Sequence, residues 1–444
     1  MGEYSRRSAL RAVGAAIGGL SVGVTVTAAE RTDRFVVRTK GRTTAGDVEA
    51  AGLSVVHDLT EVGYVVAEGS ERDAKRAPGE YAPDVSFALD GAVESASVDE
   101  HAASATDEPF YGLQWDKRAQ GVPTAHETTR GEGARVAIID TGVAASHPDL
   151  AHAVNEDLSR NFTGDGQGAA NAAGGYHGTH VAGIVAANDE NEFGTVGTAP
   201  GAELVDCRVF ADDGDATFGG IMAAIAYSAS AGCDVANVSL GSYPIPRAAY
   251  GRFLAQFLHR TTSYATRNGT LLVASTGNDG ANLKYDGPVV SIPAEAPDAL
   301  AVSATGPIGF NHGDPGVEDG PDTPAPYSNH GSNVVDLSAP GGNYDTAFPQ
   351  GWFYDLVLST ASVPQFDAAG DYAGAAHTHF WMSGTSMAAP QVAGVAALVS
   401  AVDGRLKPKQ VQRVLEQTAA DAPGGKEYHG KGFVDPVAAL ESLS

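Results

Sequence analysis

The sequence predicts an α/β fold: a doubly wound, mostly parallel sheet with helices on both faces, preceded by a small α+β domain. Three observations carry this. Apolar runs such as residues 134–139 and 270–275 lack alternation, the pattern of strands covered on both faces. Segments with small apolar residues at helical spacing stand between such runs, so strand and helix alternate along the chain. Polar residues able to do chemistry close several of the strands, where a sheet of this kind presents its C-terminal ends.

In chain order, Arg6 and Arg7 precede a Gly/Ala-rich apolar run ending near Ala28 and Ala29. A basic start, an apolar middle and small residues at the end predict a twin-arginine-type export signal over residues 1–29. The rival is a membrane anchor; the run is short and broken by glycine for that, and no later span of about 20 apolar residues is read from the chain. Residues 30–93 predict a compact α+β domain, with strands at Arg34–Arg38, 53–59, Tyr64–Glu68 and 85–89 and helices at 44–51 and from Ser70. Residues 94–109 are polar, Ala/Ser-rich and aperiodic, an exposed and therefore cleavable linker.

Residues 110–444 carry the alternation. Strands are expected at 134–139, 203–210, 233–240, 270–275, 299–304 and 334–337, and helices at 177–187, 219–231, 250–267, 391–402 and 409–418. Residues 306–326 and 344–379 read as surface insertions near the strand C-termini.

The formal charge is −26, from 54 acidic and 28 basic residues, of which 8 are lysines. Such a surface repels a phosphate backbone, so no nucleic-acid partner is expected. The acidity fits either solubility or life in high salt, and the scarcity of lysine favours the second. Most of the acidic excess falls beyond residue 105. Cys207 and Cys233 are too few for a disulfide framework and lie in or beside apolar β-rich runs, as small buried hydrophobes or a single pair.

Four stretches offer chemistry. Asp140 ends the strand of ARVAIIDTGV, as a turn former or as a carboxylate held at a strand tip. His177 opens YHGTHVAGIVAAN at a loop-to-helix junction, with His180 one turn on; no HExxH spacing supports a metal there. Asn278, in LLVASTGNDG, suits a turn or an oxyanion donor. Ser386, in GTSMAAP, stands where a small-residue turn enters an apolar helix. Free amides and the positive dipole end there favour developing negative charge. Taken alone, GTSMA is equally a sharp turn before a buried helix.

Together, AIIDTGV, HGTHVAGIVAA, ASTGN and GTSMAAP, in the order Asp, His, Asn, Ser, resemble the subtilisin-like serine proteases over about residues 110–439, and the acidic surface is similar to that of haloarchaeal, halolysin-type secreted members. The resemblance implies a serine endopeptidase with Asp140, His177 and Ser386 as the triad and Asn278 in the oxyanion hole. It implies that Ser239–Leu240–Gly241 and Gly214–Asp215–Ala216 are edges for an extended peptide, and that Ser275–Thr276–Gly277 wall the pocket beside the scissile bond. Asp279, next to Asn278, is positioned to bias that pocket towards basic or polar side chains.

The same likeness makes residues 30–93 a prodomain, acting as folding aid and intramolecular inhibitor. No cofactor is required for the chemistry. Structural calcium is implied at Gln114, Asp149 and the loop 188–194, with Asn191 and Asp189 as rival ligands. In the family's strand order the strand ending at Asp140 separates the two cysteines, so both thiols are expected free. A monomer without a stable membrane anchor is expected, its pattern closing at KGFVDPVAAL. The alternatives are a catalytically silent or a narrowly specific processing member of the same fold. An α/β-hydrolase is excluded, because no GxSxG elbow surrounds Ser386.

Overall fold

The computed structural model describes residues 24–25, 33–39, 41, 43–89, 93–95, 108–285, 287–309 and 323–444. The export signal therefore lies outside the described residues except for Val24–Thr25.

The main sheet is built from β1 (Arg135–Asp140), β2 (Glu203–Arg208), β3 (Val235–Val238), β4 (Leu271–Ser275), β5 (Ala299–Gly306) and β6 (Leu337–Pro340). These six pair in parallel in the order β2-β1-β3-β4-β5-β6, as the apolar runs predict. The short strand Arg160–Asn161 adds in parallel outside β2, and Thr323–Pro324 pairs antiparallel with the end of β5. Strand order reverses between β1 and β3, so the crevice outside the strand C-termini opens there. The strand expected at 334–337 forms three residues later, because β6 is fixed by its register against Val302–Thr305.

Helices α1 (His177–Ala186), α2 (Phe218–Ser230), α3 (Arg247–Arg267) and α4 (Thr385–Val402) cover the sheet. Alternate residues of β1 face opposite cores: Val136 and Ile138 pack with α1 and α4, whereas Ala137 and Ile139 pack with α2 and α3. Among the described residues α4 is apolar and long enough to cross a membrane, but 83% of it is buried inside the molecule. It is the core helix of the sheet. Cys207 on β2 and Cys233 before β3 are free and buried, and β1 lies between their strands, as expected.

The N-terminal α+β unit has a four-stranded antiparallel sheet in the order Ser54–Leu59, Tyr64–Glu68, Arg34–Arg38, Tyr81–Pro83. It packs on α2 and α3. Tyr64 packs at a tilt on Phe257, the Asp84 carboxylate accepts the Gly219 amide at 2.9 Å in the first turn of α2, and the Val85 carbonyl accepts that of Phe218 at 2.8 Å. Burial raises the Asp84 carboxyl to about 6 despite the Gly219 and Val85 amides it accepts. From this unit Ser86–Leu89 runs antiparallel along Asp215–Thr217, and Val24–Thr25 lies between Ser86–Leu89 and Ser242. Val93–Ser95 pairs antiparallel with Trp381–Ser383, just before α4. The insertion before α4 is mostly a long hairpin of Val357–Phe366 and Tyr372–Ser383, whose first strand packs on α1 through Thr360 and Ser359.

Candidate active site

Four of the residues singled out in the sequence meet in one crevice at the strand C-termini. Asp140 is the last residue of β1 and wholly buried. Its Oδ1 accepts the Thr141 amide at 2.7 Å and lies 2.8 Å from His177 Nδ1. A donor at Nδ1 leaves Nε2 of the neutral ring as the basic nitrogen. The helix carrying His177 starts against β1 because residue 178 is glycine: a Cβ there would stand 2.6 Å from the Gly142 carbonyl and 3.1 Å from the Asp140 Cβ. Thr141 Oγ1 fixes that junction, accepting the Gly178 amide at 2.8 Å and donating to the Gly175 carbonyl at 3.0 Å. His180 belongs to the core: it lies 3.0 Å from the Phe380 carbonyl, and burial lowers its pKa to about 3.

Ser386, in the first turn of α4, is buried to 7% exposure. Its Oγ donates to the Ser239 carbonyl at 3.1 Å, and Ser239 Oγ donates back to the Ser386 carbonyl at 2.8 Å. Asn278 lies three residues past β4. Its Oδ1 accepts both the amide and the hydroxyl of Thr385 at 2.9 Å, which commits the oxygen to the start of α4 and turns the NH2 the other way. The crevice is lined by His177, Ser386, Asn278, Ser239–Ser242, Ser275, Gly277 and Asp279. Of the expected peptide edges Ser239–Gly241 lines it, and Ser242, the next residue, pairs with Val24; Asp215–Thr217 pairs with Ser86–Leu89.

Charge behind the Asp140–His177 pair is arranged by β2. Arg208 stands opposite Asp140 in register, is fully buried, and makes a bidentate bond to Asp165 at 2.7 Å on each nitrogen. Two residues earlier, burial raises the Asp206 carboxyl to about 8 although it accepts the Ala170 amide at 2.8 Å. It is a neutral acid at pH 7. Asp279 sits at the crevice rim, where lost solvent raises its pKa and a hydrogen bond from Asn329 opposes the rise.

The expected calcium ligands are only partly brought together. Asn191 Nδ2 donates to Asp149 Oδ1 at 3.0 Å. Asp189 instead pairs with Arg130. The Gln114 amide bonds the Val196 backbone in both directions, at 2.8 and 3.0 Å, and so fastens the loop to the N-terminal segment. The oxygen donor missed in the sequence is Glu108, which accepts the amides of Asn191 and Glu192 at 3.0 and 3.1 Å. Burial, then the Asp149 charge, raises its carboxyl to about 7. Asp149 Oδ2 also meets the Thr195 amide at 3.1 Å and His379 Nε2 at 3.0 Å. Two close carboxylates suit a hard cation, whereas the imidazole does not. The carboxylates of Glu108 and Asp149 fit calcium; the carboxamide oxygens of Asn191 and Gln114 accept the Phe193 and Val196 amides.

A crevice at the switch point of a parallel sheet, holding a buried Asp–His pair beside a helix-start serine, defines a hydrolase of the serine type. Residues 131–433 match the model of the subtilase family, and the chain belongs to that family. It is a subtilisin-type serine peptidase, acting on peptide substrates. Thermitase of Thermoactinomyces vulgaris is 31% identical over 343 residues, 76% of this chain and 98% of that protein. Halolysin of Haloferax mediterranei is 29% identical over 453 residues, 99% of this chain and 76% of that protein. Among solved structures, a protease of Pseudoalteromonas arctica superposes with a TM-score of 0.61 at 28% identity, covering 77% of this chain and all of that one.

Proposed function

We propose that the protein is a secreted serine endopeptidase made as a self-processing precursor. Ser386 attacks the scissile carbonyl. His177 Nε2 takes its proton and later gives it to the leaving amine, and Asp140 holds the ring tautomer and stabilises the imidazolium. The Asn278 side-chain amide and the Ser386 backbone N–H hold the tetrahedral oxyanion. The observation that carries the reading is the buried 2.8 Å contact between His177 and Asp140 in the crevice that Ser386 and Asn278 also line. In the precursor the Ser386 hydroxyl rests on the Ser239 carbonyl, and it turns to His177 when substrate displaces the chain's own segments.

Residues 30–93 act as the prodomain, with 94–109 as linker. Ser86–Leu89 along Asp215–Thr217 and Val93–Ser95 beside the strand entering α4 support inhibition in place. Substrate binds extended along Gly214–Ala216 and Ser239–Gly241, with Ser275–Gly277 walling the pocket. Arg6–Arg7 and the apolar run after them support export by the twin-arginine route to the extracellular medium, and the acidic composition supports work at high salt. Calcium at Glu108 and Asp149 would tie the loop 188–194 to the body, a structural role outside the reaction. The enzyme works as a monomer. Labelling by a serine-directed phosphonate tests the core of the reading: mass spectrometry finds one adduct, on Ser386, and an adduct elsewhere with Ser386 unmodified refutes it.

A further inference from the structure

Asn329 lies 51 residues beyond Asn278 in the sequence and is fully buried. Its Oδ1 accepts the amides of Asp279 at 3.0 Å and Ala281 at 2.9 Å. Its Nδ2 donates to the Thr276 carbonyl at 3.1 Å and to Asp279 Oδ2 at 3.0 Å. Its backbone adds two more bonds: Asn329 N donates to the Gly277 carbonyl at 2.9 Å, and its carbonyl accepts Thr276 Oγ1 at 3.1 Å. All these bonds fall on residues 276, 277, 279 and 281, on both sides of Asn278. The fit is close enough to dictate its neighbour. Gly277 has φ +99°, and a Cβ there would stand 2.5 Å from Asn329 Nδ2.

We propose that Asn329 is the positioning residue of the oxyanion loop: it fixes the backbone before and after Asn278 and seats the Asp279 carboxylate in the pocket wall. The inference rests on the reading of Asn278 as oxyanion donor. Thr385 fixes the carboxamide end of Asn278 from the helix side. Asn329 fixes its main chain from the other. A donor aimed at a developing oxyanion works only if its place is set before the reaction, and a shift near 1 Å costs about 10² in rate. Asn329 is not among the residues lining the crevice, so its effect on turnover runs through Asn278 and its effect on side-chain preference runs through Asp279.

The test is a double-mutant cycle on the active protease, with kcat and KM read on a peptide amide. Asn278→Ala lowers kcat by about 10²–10³, the loss measured for such a donor in subtilisin. Asn329→Ala lowers kcat about tenfold or more with KM within about twofold, and adds nothing in the Asn278→Ala background. On a peptide library Asn329→Ala and Asp279→Ser move the side-chain preference in the same direction. Equal kcat losses from Asn329→Ala in both backgrounds, or no loss in either, overturn the proposal. If Asn329→Ala does not fold, Asn329→Asp serves in the same cycle: it keeps the shape and the accepting oxygen, and its kcat loss must likewise vanish without Asn278. If Asn278→Ala alone retains full kcat, the oxyanion reading itself falls, a result distinct from additivity in the cycle.

Discussion

Ser239 and Ser386 hold one another: each hydroxyl donates to the other's carbonyl, at 2.8 and 3.1 Å. The cause lies four residues on. Pro390 has no N–H to give to the Ser386 carbonyl, the acceptor an α-helix would assign it. That carbonyl is left for Ser239. The arrangement ties the start of α4 to the end of β3 and parks the hydroxyl beside the peptide edge.

Replacing Ser239 by Ala removes the donor to the Ser386 carbonyl and the acceptor of the Asn237 amide, which reaches Ser239 Oγ at 2.8 Å. Both groups are buried, so the variant should lose about 1–3 kcal/mol of stability. Urea unfolding of the inhibited enzyme measures it.

Asp140→Asn keeps the shape but reverses the demand on His177. An amide NH2 facing Nδ1 favours the tautomer protonated at Nε2, which cannot accept the serine proton. The expected loss is about 10⁴ in kcat at neutral pH. A variant within about tenfold of wild type would remove Asp140 from the triad.

The buried carboxyl of Asp206, raised to about 8, gives a pH dependence with a definite sign. Between the ordinary carboxylate range and pH 8 the folded chain holds a proton that the unfolded chain has lost. Its contribution to stability is therefore complete below about pH 4 and is lost as pH rises through 8. Asn mimics the neutral acid at every pH. In urea, Asp206→Asn should gain steadily on wild type between pH 5 and pH 9, both measured in the Ser386→Ala background to prevent autolysis.

Excess chelator should lower the Tm of the protease, calcium should restore it, and Asp149→Asn should abolish the difference. An unchanged Tm in chelator would show that the hydrogen bonds of His379 and Thr195 to Asp149 suffice without an ion.

The four main site residues were legible because each stands beside a local mark: a strand end before Asp140, Gly178 behind His177, a turn at Asn278, a helix start at Ser386. The doubly wound order followed from apolar runs too continuous for a one-sided sheet. What could not be read is long-range pairing. Asn329 looks like one more loop asparagine until the fold carries it to Thr276–Ala281, and Glu108 lies in a polar stretch with nothing local to mark it. The bond from Gln114 to Val196 was hidden for the same reason, since the two are 82 residues apart. The strand expected at 334–337 begins at its last residue, since Val334 and Val335 are apolar but only Leu337–Pro340 finds a register on β5.

The account stands most directly on the precursor carrying Ser386→Ala beside wild type, each purified free of other proteases. Wild type should cut itself within about residues 94–110, yield the mature enzyme and hydrolyse casein, with loss of activity to a serine-directed reagent. The variant should stay at full length, signal removal aside, and lack activity by a factor of about 10⁶. A Ser386→Ala chain that matured on its own and digested casein would contradict the assignment of Ser386, and with it the mechanism.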